Sequence, residues 1–246
     1  STQGYSSAAS DVYKRQSLKF LHWQKETHGI DVEKEAIGYE NGVLGILSSA
    51  LEAFSASGEP ILVQSPCYIG FIHTLNNLGR KIIDSPLKKA DNWAMDYEDI
   101  EKKIIKHNIH FAIFCSPHNP TGRVWKKEEI QKFMDICKKH DVLVIVDEIH
   151  EDFVYGDHVH IPFYNVDESY KEFSVVLTAP SKTFNLAGLQ TSNIIIANEK
   201  LRKVYQETMN RYGVNEPNFL GIIACMTAYN ECELWVDEML EYVYDN

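Results

Sequence analysis

The chain has 246 residues, 44% of them apolar, enough for one large or two small globular domains with a sizeable core. Its 24 basic and 35 acidic side chains give a formal charge of -11, which excludes a general nucleic-acid binder because such proteins carry a basic stripe. No run reaches the ~18 apolar residues of a membrane span, the polar start lacks the apolar stretch of a secretory signal, and an odd five cysteines without a CxxC pair predict reduced thiols in a cytoplasmic protein.

Residues 1–16 are small and polar, without periodicity. The stretch from Ser7 to Gln16 resembles a translated sequencing adapter, so a non-native or disordered tail is expected there. From residue 17 onward helical and strand patterns alternate. Leu18, Leu21 and Trp23 predict a helix ending at His28 and Gly29. Leu44, Leu47 and Leu51 lie at helical spacing and predict a helix over 43–54, broken by Gly58 and Pro60. A short apolar strand at 61–63 follows, then a helix over 68–78 stopped by Gly79, then a strand at 81–84. Asp96 is the predicted N-cap of a helix running to Lys106. Next come a strand at 110–115, a helix over 126–140 and a strand at 142–146. Residues 155–170 lack periodicity and predict a loop. Strands at 173–177 and 193–197 and helices over 199–210, 217–229 and 232–244 complete the chain.

These strands are short, continuous apolar runs rather than alternating ones. That pattern fits strands buried on both faces, hence an α/β fold: a three-layer α/β/α sandwich with a mostly parallel central sheet. The polar residues of interest follow strand ends. His118 and Asn119 follow the strand at 110–115, Asp147 and His150 the one at 142–146, and Lys182 the one at 173–177. Ligands of open α/β sheets sit outside those ends.

Lys182 stands among small and hydroxyl residues with no other charge nearby. Such a lysine is expected to lose solvation, which disfavours its charged form. A neutral amine is what a Schiff base requires. Other readings exist for its neighbours. Asp147 suits a helix N-cap, Asn119 an Asn-Pro turn, Tyr68 a core position and Ser181 a turn. Asp147, Glu148, His150, Glu151, Asp152, His158 and His160 crowd one region, but without HExxH or paired Cys/His spacing no metal is expected. No GxSxG motif of a serine hydrolase occurs.

Three segments together carry a family resemblance: Ser116-Pro117-His118-Asn119-Pro120-Thr121-Gly122, Asp147-Glu148-Ile149-His150, and Ala179-Pro180-Ser181-Lys182-Thr183-Phe184-Asn185. In order and spacing they resemble fold-type I pyridoxal 5'-phosphate enzymes. More narrowly they resemble the MalY/PatB, cystathionine β-lyase-like branch of the class I/II aminotransferase superfamily. The resemblance implies that Lys182 is the covalent anchor of the cofactor and the catalytic base. It implies that Asp147 pairs with the pyridine nitrogen, that Asn119 donates to the phenolic oxygen, and that Tyr68 stacks on the ring. His150 takes a slot where aminotransferase relatives often carry a tyrosine. Gly42 and Val43 open a helix whose N-terminal N–H groups suit a phosphate, and Ser181 adds a hydroxyl. Gln190 stands where many relatives carry a phosphate-pairing arginine.

The implied activity is carbon–sulfur β-lyase cleavage of L-cystathionine or related cysteine conjugates to thiol, pyruvate and ammonia. An aminotransferase acting on an amino acid is the alternative, and a regulatory module a third. The implied layout is a large cofactor domain over 17–230, with 231–246 starting a helix toward a small C-terminal domain outside the chain. The chain is thus expected to be a fragment of a cytoplasmic enzyme. That enzyme has a small-molecule amino-acid substrate, no nucleic-acid or membrane partner, and forms a homodimer when full length.

Overall fold

The computed structural model describes residues 18–214 and 218–246. The tail expected at 1–16 and the helix start expected at Pro217 lie outside the described residues. Among the described residues one sheet contains β1 (Ile37–Glu40), β2 (Pro60–Val63), β3 (Lys81–Asp84), β4 (Phe111–Cys115), β5 (Leu143–Asp147), β6 (Ser174–Thr178) and β7 (Ser192–Ile195). Their spatial order is β1-β7-β6-β5-β4-β2-β3. The pairs from β3 through β6 are parallel, and β7 runs against both β6 and β1. The sheet is mostly parallel, as the continuous apolar strands predict.

The helices are α1 (18–28), α2 (Val43–Phe54), α3 (Ile69–Asn77), α4 (Tyr97–His107), α5 (Lys127–Lys139), α6 (Phe163–Val166), α7 (Pro180–Thr183), α8 (Glu199–Tyr212), α9 (Phe219–Glu231) and α10 (Glu233–Asp245). Successive strand residues point to opposite faces, and both faces are covered. Ala112, Phe114, Val144, Val146 and Val176 share a core with Trp23 of α1, Ile104 of α4, Phe133 of α5 and Tyr229 of α9. Ile113, Ile145, Val175 and Leu177 share the other with Leu47 of α2, Leu75 of α3 and Met209 of α8. Each fully buried side chain of this size contributes about 1.5–3 kcal/mol relative to exposure, so β4, β5 and β6 form the best-anchored part of the molecule.

Register then sets the site. Cys115 pairs with Asp147, and Asp147 pairs with Leu177. The carboxyl ends of β4, β5 and β6 therefore finish side by side on one edge.

Asp96 caps α4 as predicted, accepting from the Asp99 N–H at 3.2 Å. Three local expectations change. β1 was not anticipated: it has four residues and includes Gly38, whose missing Cβ makes room for Ile194 on β7. The loop expected over 155–170 contains α6 and a 3-10 turn over Glu168–Glu172, both too short to show a period. The strand expected at 142–146 shifts by one, so Asp147 closes β5 instead of following it.

Candidate active site

Lys182 lies on α7, a single turn directly after β6, with Pro180 at its first position. Proline fits there because that N–H has no helical partner and its φ is already helical. The turn closes through Phe184 N–H to the Pro180 carbonyl at 2.9 Å and Leu186 N–H to the Ser181 carbonyl at 3.0 Å. Lys182 itself is exposed. The loss of solvation expected from its small neighbours is not met, because those neighbours leave its long stem free to reach the mouth of a cavity.

Asp147 is buried at the end of β5. Its Oδ1 accepts from the Ile149 N–H at 3.1 Å, a local turn rather than a helix cap, and residues 149–152 are turns. Asp147 and His150 stand on either side of this turn, and both line one cavity. Burial pushes the Asp147 carboxyl up to about 7; the Ile149 N–H opposes this, the Glu148 charge adds to it, and the Lys182 charge opposes it. Burial, reinforced by the Lys182 charge, holds the half-buried His150 imidazole below its ordinary value. His150 is thus neutral near pH 7.

Asn119 sits in a pinned turn after β4. The His118 N–H donates to the Arg123 carbonyl, and the Gly122 N–H to the His118 carbonyl, each at 2.8 Å. Below the turn the Trp125 indole donates to the Cys115 carbonyl at 2.9 Å, and the Arg123 guanidinium lies 4.7 Å above the Trp125 ring. Tyr68 is the N-cap of α3 and 37% exposed, so it is not a core tyrosine. Its ring meets Phe71 edge-on at 5.6 Å.

Gly42 is the N-cap of α2, with φ 76° and ψ 156°, a region open essentially to glycine alone. A Cβ there would fall 2.5 Å from Gln190 Oε1. The N-terminus of α2 is held in place by buried Glu40, which accepts from Ser49 at 2.7 Å and from the Tyr205 hydroxyl.

All eight residues singled out in the sequence line one cavity of about 230 Å³. They are Gly42 and Val43 at the start of α2, Tyr68 at the start of α3, Asn119 after β4, Asp147 and His150 at and after the end of β5, and Ser181 and Lys182 of α7. Lys182 is the only lysine or arginine lining it among the described residues. Leu44, Ile149, Ala187 and Thr191 also line it and were not singled out. Ile149 lay inside the Asp-Glu-Ile-His motif and Leu44 beside Val43; Thr191 carried no signal beyond its position after Gln190. A larger groove of about 820 Å³ lies at the carboxyl ends of α2 and α3. Its one buried cation, Arg80, is spent on Glu52 and on the Leu51, Ser55 and Leu78 carbonyls, and the other oxygen of Glu52 accepts from the Tyr212 hydroxyl, so these groups are already paired with one another. The smaller cavity carries the chemistry.

Of the carboxylates and histidines crowded after Asp147, Glu148, Glu151, Asp152 and His160 come together, with His28 of α1. His28, Glu151 and Asp152 form one close group, and Glu148, Glu151 and His160 another. No helix among the described residues is long and apolar enough to cross a membrane.

The model of the family Aminotransferase class I and II matches residues 1–245. Cystathionine beta-lyase PatB of Bacillus subtilis (strain 168) is 38% identical over 225 residues, 91% of this chain and 58% of that protein. Protein MalY of Escherichia coli (strain K12) is 31% identical over 245 residues, 99% of this chain and 61% of that protein. The crystal structure of cystalysin from Treponema denticola contains a pyridoxal 5'-phosphate cofactor. It matches with TM-score 0.88 and 35% identity, covering 92% of this chain and 58% of that one. The chain spans about 60% of the length of these relatives. It belongs to the class I and II aminotransferase family.

Proposed function

We propose that this member of the class I and II aminotransferase family carries the cofactor site of a pyridoxal 5'-phosphate-dependent carbon–sulfur β-lyase. The substrate is L-cystathionine or a related cysteine conjugate, and the products are thiol, pyruvate and ammonia. The observation that carries the reading is the meeting of Lys182, Asp147, Asn119, Tyr68 and the α2 N-terminus around one 230 Å³ cavity. The names and identities of the relatives support lyase chemistry. An aminotransferase is the second reading, supported by the family model itself.

The residues fit the cofactor. Asp147 is a buried carboxylate whose Oδ1 is held by a backbone N–H, so a cationic ring N–H in the cavity would relieve its desolvation. The α2 N-terminus offers a dipole and N–H groups at a glycine cradle, which suits a phosphate lacking an arginine partner. When bound, the cofactor supplies a protonated pyridine ring that accepts the electron pair left at the substrate Cα.

The protein's part follows from its own residues. Lys182 Nζ would hold the cofactor. The same amine removes the Cα proton as general base. Asp147 Oδ keeps the ring nitrogen protonated. Asn119 and neutral His150 would donate to the ring oxygen, Tyr68 would cover the ring face, and Ser181, Gly42 and Val43 would hold the phosphate.

We take the cofactor domain to span 17–230 and α10 to lead toward a further domain of the full-length enzyme. Apolar side chains exposed on α10, such as Leu234, Trp235 and Tyr242, support a covering neighbour there. A homodimer is supported by apolar Ile69, Phe219 and Leu220 exposed on α3 and α9, and a cytoplasmic location by the buried unbridged thiols of Cys115 and Cys137.

One assay tests the reaction. Full-length enzyme receives L-cystathionine without any 2-oxo acid, and pyruvate and thiol are followed. Pyruvate release is expected. Turnover only after a 2-oxo acid is added assigns an aminotransferase instead. Lys182→Ala is expected to remove the visible absorbance of bound cofactor and to lower kcat by about 10²–10⁴-fold.

A further inference from the structure

A buried polar chain runs from α1 to the turn that carries Lys182. His28, at the end of α1, places Nε2 2.8 Å from Asp152 Oδ1. The other oxygen of Asp152 accepts from the Thr183 hydroxyl at 2.5 Å. Thr183 is the residue after Lys182 and is itself buried. One helical turn earlier on α1, Gln24 donates to Glu151 Oε1 at 2.7 Å. Packing runs in parallel: Trp23 of α1 meets Phe184 edge-on at 5.3 Å. The helix α1 thus grips the Lys182 turn through a hydrogen-bonded chain and through an aromatic pair.

The chain needs a cation at His28. The side chains of His28 and Asp152 are only 7% and 5% exposed. A buried carboxylate without a partner charge is costly. The groups facing His28 are Asp152, Glu151 at 4.0 Å and Glu148 from the turn after β5, and the His160 ring at 6.0 Å. Burial alone would lower the His28 imidazole, but Glu151, Asp152 and Glu148 outweigh it and push it up to about 9.

We propose that His28 is a positioning residue for Lys182: as a cation it fixes the Asp152 carboxylate, which holds the Thr183 hydroxyl and so sets the α7 turn that aims the lysine amine into the cavity. This rests on the reading of Lys182 as the reactive amine. His28 touches neither cofactor nor substrate and acts only through the turn.

The test uses the cofactor-free full-length enzyme with His28→Gln, Thr183→Val and the double variant. Capture of pyridoxal 5'-phosphate is followed by visible absorbance across pH. Amide hydrogen exchange of the peptide spanning 179–186 is measured alongside. Each single variant is expected to slow capture about fivefold or more and to speed exchange in that peptide, while β4 is unchanged. The double variant is expected to lose no more than the worse single, because both cut one chain. Thr183→Ser, which keeps the hydroxyl, restores both readouts. The ratio of wild-type to His28→Gln capture falls toward one above about pH 9, where His28 loses its proton.

Folded variants with wild-type exchange over 179–186, or losses that simply multiply, overturn the proposal. So does a stoichiometric metal in the purified chain, since His28 and Asp152 would then be its ligands. If wild type captures no pyridoxal 5'-phosphate at all, the proposed function fails, while the exchange data still decide whether the chain sets the turn.

Discussion

Asp147 is where burial and function pull in opposite directions. Its carboxyl is desolvated and rises to about 7 in the folded protein, against about 3.9 for an unperturbed aspartate. A carboxylate shifted upward favours the fold while protonated. That contribution is complete below the unfolded value and is lost as pH climbs through 7. Asp147→Asn keeps the shape and removes the charge. The cofactor-free variant is therefore expected to match wild type near pH 4 and to be more stable at pH 9, by at most about 4 kcal/mol. Urea unfolding of both proteins at the two pH values reads this; a variant less stable at pH 9 would show that Asp147 already has a cationic partner. At this scale the sequence was informative for the cavity. Lys182, Asp147, Asn119 and Tyr68 each sit just after an apolar run, in segments whose spacing is itself a signature. It was silent about His28 and Thr183, whose shared partner Asp152 lies 124 and 31 residues away from them. It also misjudged the setting of Lys182, since small neighbours do not bury a long side chain that points into an open cavity.

At the scale of elements, α2 joins sequence pattern to site geometry. Leu47 and Leu51 anchor one face in the core, and Gly42 brings the amino end to the cavity. Gly42→Ala adds a Cβ at φ 76°, a conformation costing a non-glycine residue about 1–3 kcal/mol, and crowds Gln190. Relief comes from rotating the first turn of α2 away from its present line. The expected result is a folded protein whose Kd for pyridoxal 5'-phosphate rises about tenfold or more, as read by absorbance titration. An unchanged Kd would remove the α2 N-terminus from the phosphate site. Long helices such as α2, α5 and α8 were readable because an apolar stripe repeats over three or more turns. β1 was not, because its four residues are half-buried and draw their place from β7. α6 was not, because its single turn is set by long-range contacts: the Tyr164 hydroxyl donates to the Ser174 carbonyl at 3.0 Å, and the Phe163 N–H to Glu148 at 2.8 Å.

Over the whole molecule the shifted groups sort by pH. Asp96, Asp99, Glu101 and Asp167 are surface carboxylates held below their ordinary values, Asp96 by its bond to Lys88 and Glu101 by Lys139 and His140. Their contributions are lost only as pH falls below about 4. The buried groups act on the other side. His28 rises to about 9 although burial opposes it, because Glu151, Asp152 and Glu148 favour its cation. That stability is complete below the ordinary histidine value and disappears as pH climbs through 9. Asp147, at about 7, favours the fold only while protonated, so it too loses ground as pH rises. A formal charge of -11 adds repulsion in the same direction. The cofactor-free chain is therefore expected to be most stable between about pH 4 and 5 and to lose stability steadily toward pH 9.5. Urea midpoints taken across that range test it, and a midpoint equal or higher at pH 9.5 contradicts it. His28→Gln should be less stable than wild type at pH 6, and its midpoint should fall less steeply between pH 7 and 9.5. Bound pyridoxal 5'-phosphate should flatten the curve further, because a cation beside Asp147 removes the largest reason for that carboxylate to stay protonated.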